Sequence, residues 1–205
     1  MSDNVKEDLI TQIVEAEWVQ FDKVNNQGGR ASCQDDRTTF FIMRKSQFEY
    51  WTKEMLNSYL DDLHFADATG WNLLTEKYAR MMESTDPIGY DNLKDKLPHR
   101  SSKRIARQNE VVELQVGWME ALAEKFPKVA GRARSIRSSE DSMYNTSYET
   151  YLRGELGTYS DRTFNLYYDY MTELKEKGDN LALKIIAKSA NMYGYEGLED
   201  AEESM

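Results

Sequence analysis

Cysteine is nearly missing from this chain. Cys33 is the only one in 205 residues, so no disulfide can form within it. A disulfide framework is excluded, and a reducing, cytoplasmic compartment is the expected setting. Proline is almost as scarce, occurring only at 87, 98 and 127. With so few breakers, long stretches can run as helix, and a fold of many short strands is not expected. No run of about 18 apolar residues exists, so no membrane span is expected. The polar start, Met1 to Asp8, lacks the apolar centre of a signal peptide. Positive charge is short as well: 26 Lys and Arg stand against 36 Asp and Glu, a formal net charge of −10. Such a surface repels a phosphate backbone, and nucleic acid is not an expected partner. Two basic clusters depart from this, His99–Arg104 with Arg107 and Arg132/Arg134/Arg137; both read as solvated helix ends or linkers. Histidine occurs only at 64 and 99, and neither His-x-x-x-His nor Glu-x-x-His is present, so no metal is proposed. Neither a phosphate-binding Gly-x-x-x-x-Gly-Lys-Ser/Thr loop nor a dinucleotide fingerprint occurs, and no cofactor is expected.

What remains is helical in period. Charged residues at 30% and apolar residues at 40% suit a folded globular chain. Leu9, Ile10, Ile13, Val14, Trp18 and Phe21 form one stripe at 3.6-residue spacing. Phe40, Phe41, Phe48 and Trp51 form the next, followed by Leu56/Tyr59/Leu60/Leu63 and Leu73/Leu74/Tyr78/Met81/Met82. None alternates with period two, so the expected class is all-α. The layout restarts at Val111/Leu114/Trp118/Leu122, and particular residues recur with it. Trp18 answers to Trp118, Gly29-Arg30-Ala31 to Gly131-Arg132-Ala133, and Gly70-Trp71-Asn72-Leu73 to Gly178-Asp179-Asn180-Leu181. Two tandem, diverged helical repeats packed as a pseudo-twofold domain are expected, over residues 1–83 and 100–195. Residues 84–99, between Pro87 and Pro98, form the linker, and the acidic tail 196–205 is expected to fray. Gly70 and Gly178 suit left-handed helix caps, and Asn72 and Asn180 suit the N-caps of the helices that follow.

Candidate chemistry sits in two polar loops. Asn25 to Asp36 carries a Gly-Gly hinge with Arg30, Cys33, Gln34 and Asp35, and its counterpart, residues 130–142, carries Arg132 and Asp141. Polar, glycine-bearing loops held between helices are common places for function. If the loops face each other, their arginines suit the carboxylate or phosphate of a small anionic or zwitterionic molecule. The competing reading is that Arg30 and Arg132 merely tie the loops down through Asp35/Asp36 and Glu140/Asp141. Arg44, beside Gln47, lies within an apolar stripe, as Arg153 does in the second repeat, and Glu17 interrupts the first helix stripe. A guanidinium facing a core has to be paired, so Glu17–Arg44 is either an interior ion pair or part of a pocket. Cys33 and Glu17 are the reactive candidates; Cys33 has no histidine near in sequence, and a lone cysteine is often just a small buried residue. Glu76 and Arg80, at i,i+4, read as an ordinary pair on a solvated face.

The segments Gly29-Arg30-Ala31-Ser32-Cys33-Gln34-Asp35-Asp36, Ile42-Met43-Arg44-Lys45-Ser46-Gln47-Phe48, Asn72–Glu83 and Tyr151–Leu156 resemble those of a bacterial family of unknown function, over nearly the whole chain. The resemblance implies no reaction. The residues support two expectations. One is a small-molecule-binding protein or enzyme, with Arg30, Gln34, Asp35, Arg44, Gln47, Arg132, Asp141 and Arg153 on the ligand. The other is a helical protein-interaction module without catalytic activity. Neither sets an oligomeric state.

Overall fold

Short oxygen-bearing side chains set where the helices of this chain begin. In the structure, a computed structural model that describes residues 2–25 and 29–205, Asp36, Thr52, Asn72, Asp86, Ser101 and Asn180 each accept a hydrogen bond from the backbone N–H three residues on. Each cap satisfies an amide that the first helical turn leaves without a partner. The helices are α1 (Ser2–Asp22), α2 (Arg37–Phe48), α3 (Lys53–Ala68), α4 (Leu73–Thr85), α5 (Pro87–Asp91), α6 (Ser102–Lys125), α7 (Pro127–Gly131), α8 (Tyr148–Thr158), α9 (Asp161–Glu176), α10 (Leu181–Met192) and α11 (Leu198–Ser204). Short 3-10 turns lie at Ser32–Asp35, Lys94–Lys96 and Ser138–Glu140. Among the described residues there is no strand, and the class is all-α, as the periodicity implies.

The chain divides into two compact units. The first takes residues 1–75 and 159–167, the second residues 76–158 and 168–205. In the first, α1 packs on α2 and α3. Its centre is aromatic: Trp51 is 1% exposed and lies with its ring centroid 5.0–5.8 Å from those of Phe48, Tyr59, Tyr159 and Tyr167. In the second, α6 packs on α8 and α10. Leu122 and Phe126 at the end of α6 bury Ala190, Leu198 and Ala201.

The Gly-x-Asn turns do what their residue types suggest. Gly70 and Gly178 sit at φ 70° and 68°, a region that costs an L side chain energy and glycine none. Asn72 and Asn180 cap the next helix, and each sends its amide Nδ2 back to the long helix of its own unit, to Gln20 O and Trp118 O. The acidic tail differs from expectation. It does not fray but folds as α11, with Ala201 fully buried and Glu202 accepting from the backbone N–H groups of Lys128 and Val129 at the start of α7. A small apolar face and one carboxylate on free helix amides outweigh its acidic composition.

Candidate functional site

Loop residues of the first unit are tied to one another. Arg30 donates from Nε to Asp35 at 2.7 Å and from Nη2 to Asp22 at 2.6 Å and to Gln34 O at 2.7 Å. The hydrogen bonds it donates to Asp35 and Asp22 raise its pKa, although the group is exposed. Gln34 is buried, and its Nε2 donates to Phe21 O and Val24 O while its Oε1 accepts from Ala31 N. The loop is thus stapled to the end of α1. Cys33 is exposed on the turn beside it. Asn26, Gln27 and Gly28 lie outside the described residues.

Glu17 and Arg44 form an interior pair in the same unit. Glu17 is fully buried; its Oε2 accepts from Arg44 Nε at 2.7 Å and its Oε1 from Arg44 Nη2 at 2.5 Å and Tyr59 OH at 2.8 Å. The third guanidinium nitrogen, Nη1, donates to Gln47 Oε1 at 2.7 Å. A charge buried this completely persists because every polar atom around it is answered.

The candidates of the second loop belong to the second unit. Arg132 is exposed at the end of α7. Asp141 accepts from Ser84 and Thr150 hydroxyls and from Ser147 N. Burial pushes the Asp141 carboxyl up, but these hydrogen bonds outweigh it and hold the group below its ordinary value. Arg153 donates to Asn109 Oδ1 and, at 3.1 Å, to Glu149 Oε1, whose second oxygen accepts from Ser138 N.

Beside Arg153 a cavity of about 700 Å³ opens within the second unit. Helix α4 supplies Arg80, Glu83 and Ser84; the segment 90–100 supplies Tyr90, Lys94, Asp95, Leu97, Pro98, His99 and Arg100. Ile105, Gln108 and Asn109 of α6, Ser138, and Glu149, Thr150, Arg153, Gly154 and Gly157 of α8 complete it. Two glycines allow the walls to meet. A Cβ on Gly154 would stand 2.9 Å from Lys77 O, and one on Gly157 would stand 2.6 Å from Arg80 Cδ. Burial and the nearby Glu83 carboxylate push the Tyr90 phenol up from its ordinary value.

Three expectations change here. Glu76 and Arg80 are not a solvated pair: Glu76 is 2% exposed, accepts from Arg80 Nε at 2.9 Å, and has Arg100 Nη2 3.8 Å away. The reason is tertiary, since the glycine face of α8 brings its backbone against this face of α4. The cluster at 99–107 is not a solvated helix end either. Arg104 is 6% exposed and donates to Leu156 O, while Arg100 donates to Gly157 O. Both cations answer the carbonyls that end α8, where the helix dipole favours them. Nor are residues 84–99 merely a linker, because they hold α5 and form one wall of the cavity. The four-residue spacing of Arg100, just before α6, and of Arg104 and Gln108 on it, all three donating to carbonyls of α8, is the signal that could have found this wall.

Among the described residues, no group of three or more His, Cys, Asp or Glu side chains is placed to hold a metal ion. No described helix is long and apolar enough to cross a membrane. No curated protein and no solved structure matches the chain. A family model does, over residues 7–203, and the chain therefore belongs to the family described as protein of unknown function (DUF4125).

Proposed function

We propose that this protein binds a small anionic or zwitterionic molecule in the cavity of its second unit. The observation that carries the reading is the convergence of Arg80, Arg100 and Arg153, from three separate segments, on one cavity in a chain of net charge −10. Its volume of about 700 Å³ falls within the roughly 300–1,000 Å³ common for small-molecule sites. Each guanidinium is oriented by a protein acceptor before any ligand arrives: Arg80 by Glu76 and Pro98 O, Arg100 by Gly157 O, Arg153 by Glu149. Such preorganisation lowers the entropic cost of binding. Glu83 and Asp95 on the same lining could take an ammonium group, which keeps zwitterions in the class. A reducing, cytoplasmic setting goes with this reading, on the single cysteine. Descent from a duplicated helical unit goes with it too, supported by the matching turns at Gly70-x-Asn72 and Gly178-x-Asn180.

The test is a thermal-shift screen of the intact protein against amino acids, carboxylates, phosphates and nucleotides. A ligand at about 100 times its Kd stabilises a fold by roughly 2.7 kcal/mol. The expected shift disappears in Arg153→Met and survives in Arg30→Ala, whose side chain is 46% exposed and spent on Asp22 and Asp35. Silence from every class of compound, with a folded protein, would sink the reading. In that case the interaction-module reading gains, on the exposed pair Met143 (70%) and Tyr144 (95%) at the tip of the second loop.

A further inference from the structure

On the cavity lining, the cations are engaged and some of the acceptors are not. Arg80 bonds Glu76 and Pro98 O, Lys94 bonds Asp91, Arg100 bonds Gly157 O, and Arg153 bonds Asn109 and Glu149. Glu149 is answered in turn by Arg153 and Ser138 N. Glu83 and Asp95 differ: neither makes a hydrogen bond or ion pair among the described residues. Glu83 stands three residues after Arg80 on α4, a spacing that allows a helix-surface pair, yet Arg80 sends its donors to Glu76 and Pro98 O.

Gln108 on α6 repeats the pattern under deeper burial. It is 8% exposed and lines the cavity. Its amide orientation is set, because the atom facing Arg153 O at 2.9 Å has to be the Nε2 donor. That leaves Oε1 as an acceptor which takes no hydrogen bond among the described residues and is not sealed from solvent. A carbonyl this far buried costs stability unless something supplies a donor. Gln108 and Glu83 also stand at one level of α8. Gln108 bonds Arg153 O, while the residues either side of Glu83 reach the same turn: Met81 packs on Gly154, and Ser84 meets Thr150 through Asp141.

We infer that the ligand is a zwitterion, an amino acid whose ammonium group is received by Glu83 and Gln108 Oε1. The inference rests on the small-molecule reading above and narrows it. A ligand with only carboxylate or phosphate groups brings acceptors, so it leaves Oε1 unanswered and sets its own charge against Glu83. A hydroxyl would answer Oε1 but not the charge on Glu83. An ammonium carries three N–H donors on one cation, which matches a carboxylate beside a carbonyl. The carboxylate of the same molecule goes to the arginines, where Nη1 of Arg80 and Nε of Arg153 carry no hydrogen bond among the described residues. Leu97, Pro98 and Ile105 add an apolar stretch to the lining, and Ile105 is 48% exposed, so the side chain that fits is apolar.

The experiment is calorimetric titration of the full chain with phenylalanine, with 3-phenylpropionate, which lacks the amine, and with phenethylamine, which lacks the carboxylate. Phenylalanine is expected to bind at least tenfold more tightly than either. Glu83→Gln and Gln108→Leu should each weaken phenylalanine at least fivefold and leave 3-phenylpropionate within twofold. Glu83 has no protein bond to lose, so Glu83→Gln covers the case in which Gln108→Leu misfolds. Binding of 3-phenylpropionate as tightly as phenylalanine would overturn the zwitterion and leave an anion site in place. Phenethylamine binding as tightly as phenylalanine would overturn both readings, because the arginines would then hold nothing. Phenylalanine binding untouched by Glu83→Gln would remove the ammonium from this wall and overturn the inference. Silence from phenylalanine while a carboxylate or phosphate binds would overturn the inference alone; silence from every compound would take down the broader reading with it.

Discussion

Two buried glutamates in this protein look alike in sequence and do different things. Glu17 in the first unit meets one arginine, and its two oxygens are answered by Arg44 and Tyr59, with Gln47 holding the remaining nitrogen. Glu76 in the second unit meets two arginines, both of which also line a cavity. The first cluster is closed and its charges balance. The second adjoins a cavity that both of its arginines line. Burial of a charge is therefore a poor marker of a site by itself, because structural pairs are buried too. What separates them is whether space adjoins the paired groups, so that a ligand could reach them.

The largest expected effect breaks the closed cluster. Glu17→Ala leaves the Arg44 guanidinium, 7% exposed, without its counter-charge. Removing one partner of such a pair costs about 3–5 kcal/mol, measurable by urea unfolding. Replacing both residues together by leucine should recover much of that loss. A cost below about 1 kcal/mol for the single variant would mean that water reaches Arg44 and the cluster is not closed. Glu76→Ala should cost less, about 1–3 kcal/mol, since Arg80 and Arg100 can turn toward the cavity and its water. Equal costs for the two glutamates would erase the distinction.

Much of the first cluster was legible in the sequence, because Glu17 and Arg44 each interrupt an apolar stripe and a helical face can be read from spacing alone. The second was not. Glu76 and Arg80 stand at i,i+4 whether their helix faces solvent or protein, and only the approach of α8 decides which. That approach depends on Gly154 and Gly157, and a glycine three residues from another signals close packing only once its partner helix is known. The partner, α4, lies some 70 residues earlier. Arg30 was misleading in the opposite sense: a conspicuous Gly-Gly-Arg loop drew notice, yet its side chains bond chiefly to one another and to the end of α1.

The two glycines of α8 offer a finer test of how structure and site divide. At Gly154 an added methyl group meets backbone, Lys77 O at 2.9 Å, as well as Met81 Cγ at 2.8 Å. Backbone cannot move aside cheaply, so Gly154→Ala should lose about 1–3 kcal/mol of stability. At Gly157 the atoms nearest the methyl belong to the Arg80 side chain, Cδ at 2.6 Å and Nε at 3.1 Å, and that side chain can swing away. Gly157→Ala should change stability by less than about 1 kcal/mol while weakening anion binding severalfold. If both variants lose stability alike and binding is untouched, Arg80 is structural and takes no part in holding a ligand.

Asp141 gives the smallest effect and the most specific signature. It has no arginine partner in its immediate cluster; two hydroxyls and one backbone N–H hold its charge, and they keep the carboxyl below its ordinary value despite burial. A carboxyl depressed in the folded state adds stability above its unfolded pKa, near 3.9, and loses it as pH falls through the lower folded value. Asp141→Asn keeps the shape but cannot titrate. At neutral pH the variant should be less stable by about 1 kcal/mol, and the gap should close as pH drops from about 5 toward 3. A gap that stays constant across that range would show that the carboxyl titrates alike folded and unfolded. The hydroxyls of Ser84 and Thr150 would then be neutral partners that any acceptor could satisfy, and the wall of the cavity would owe nothing to the charge at 141.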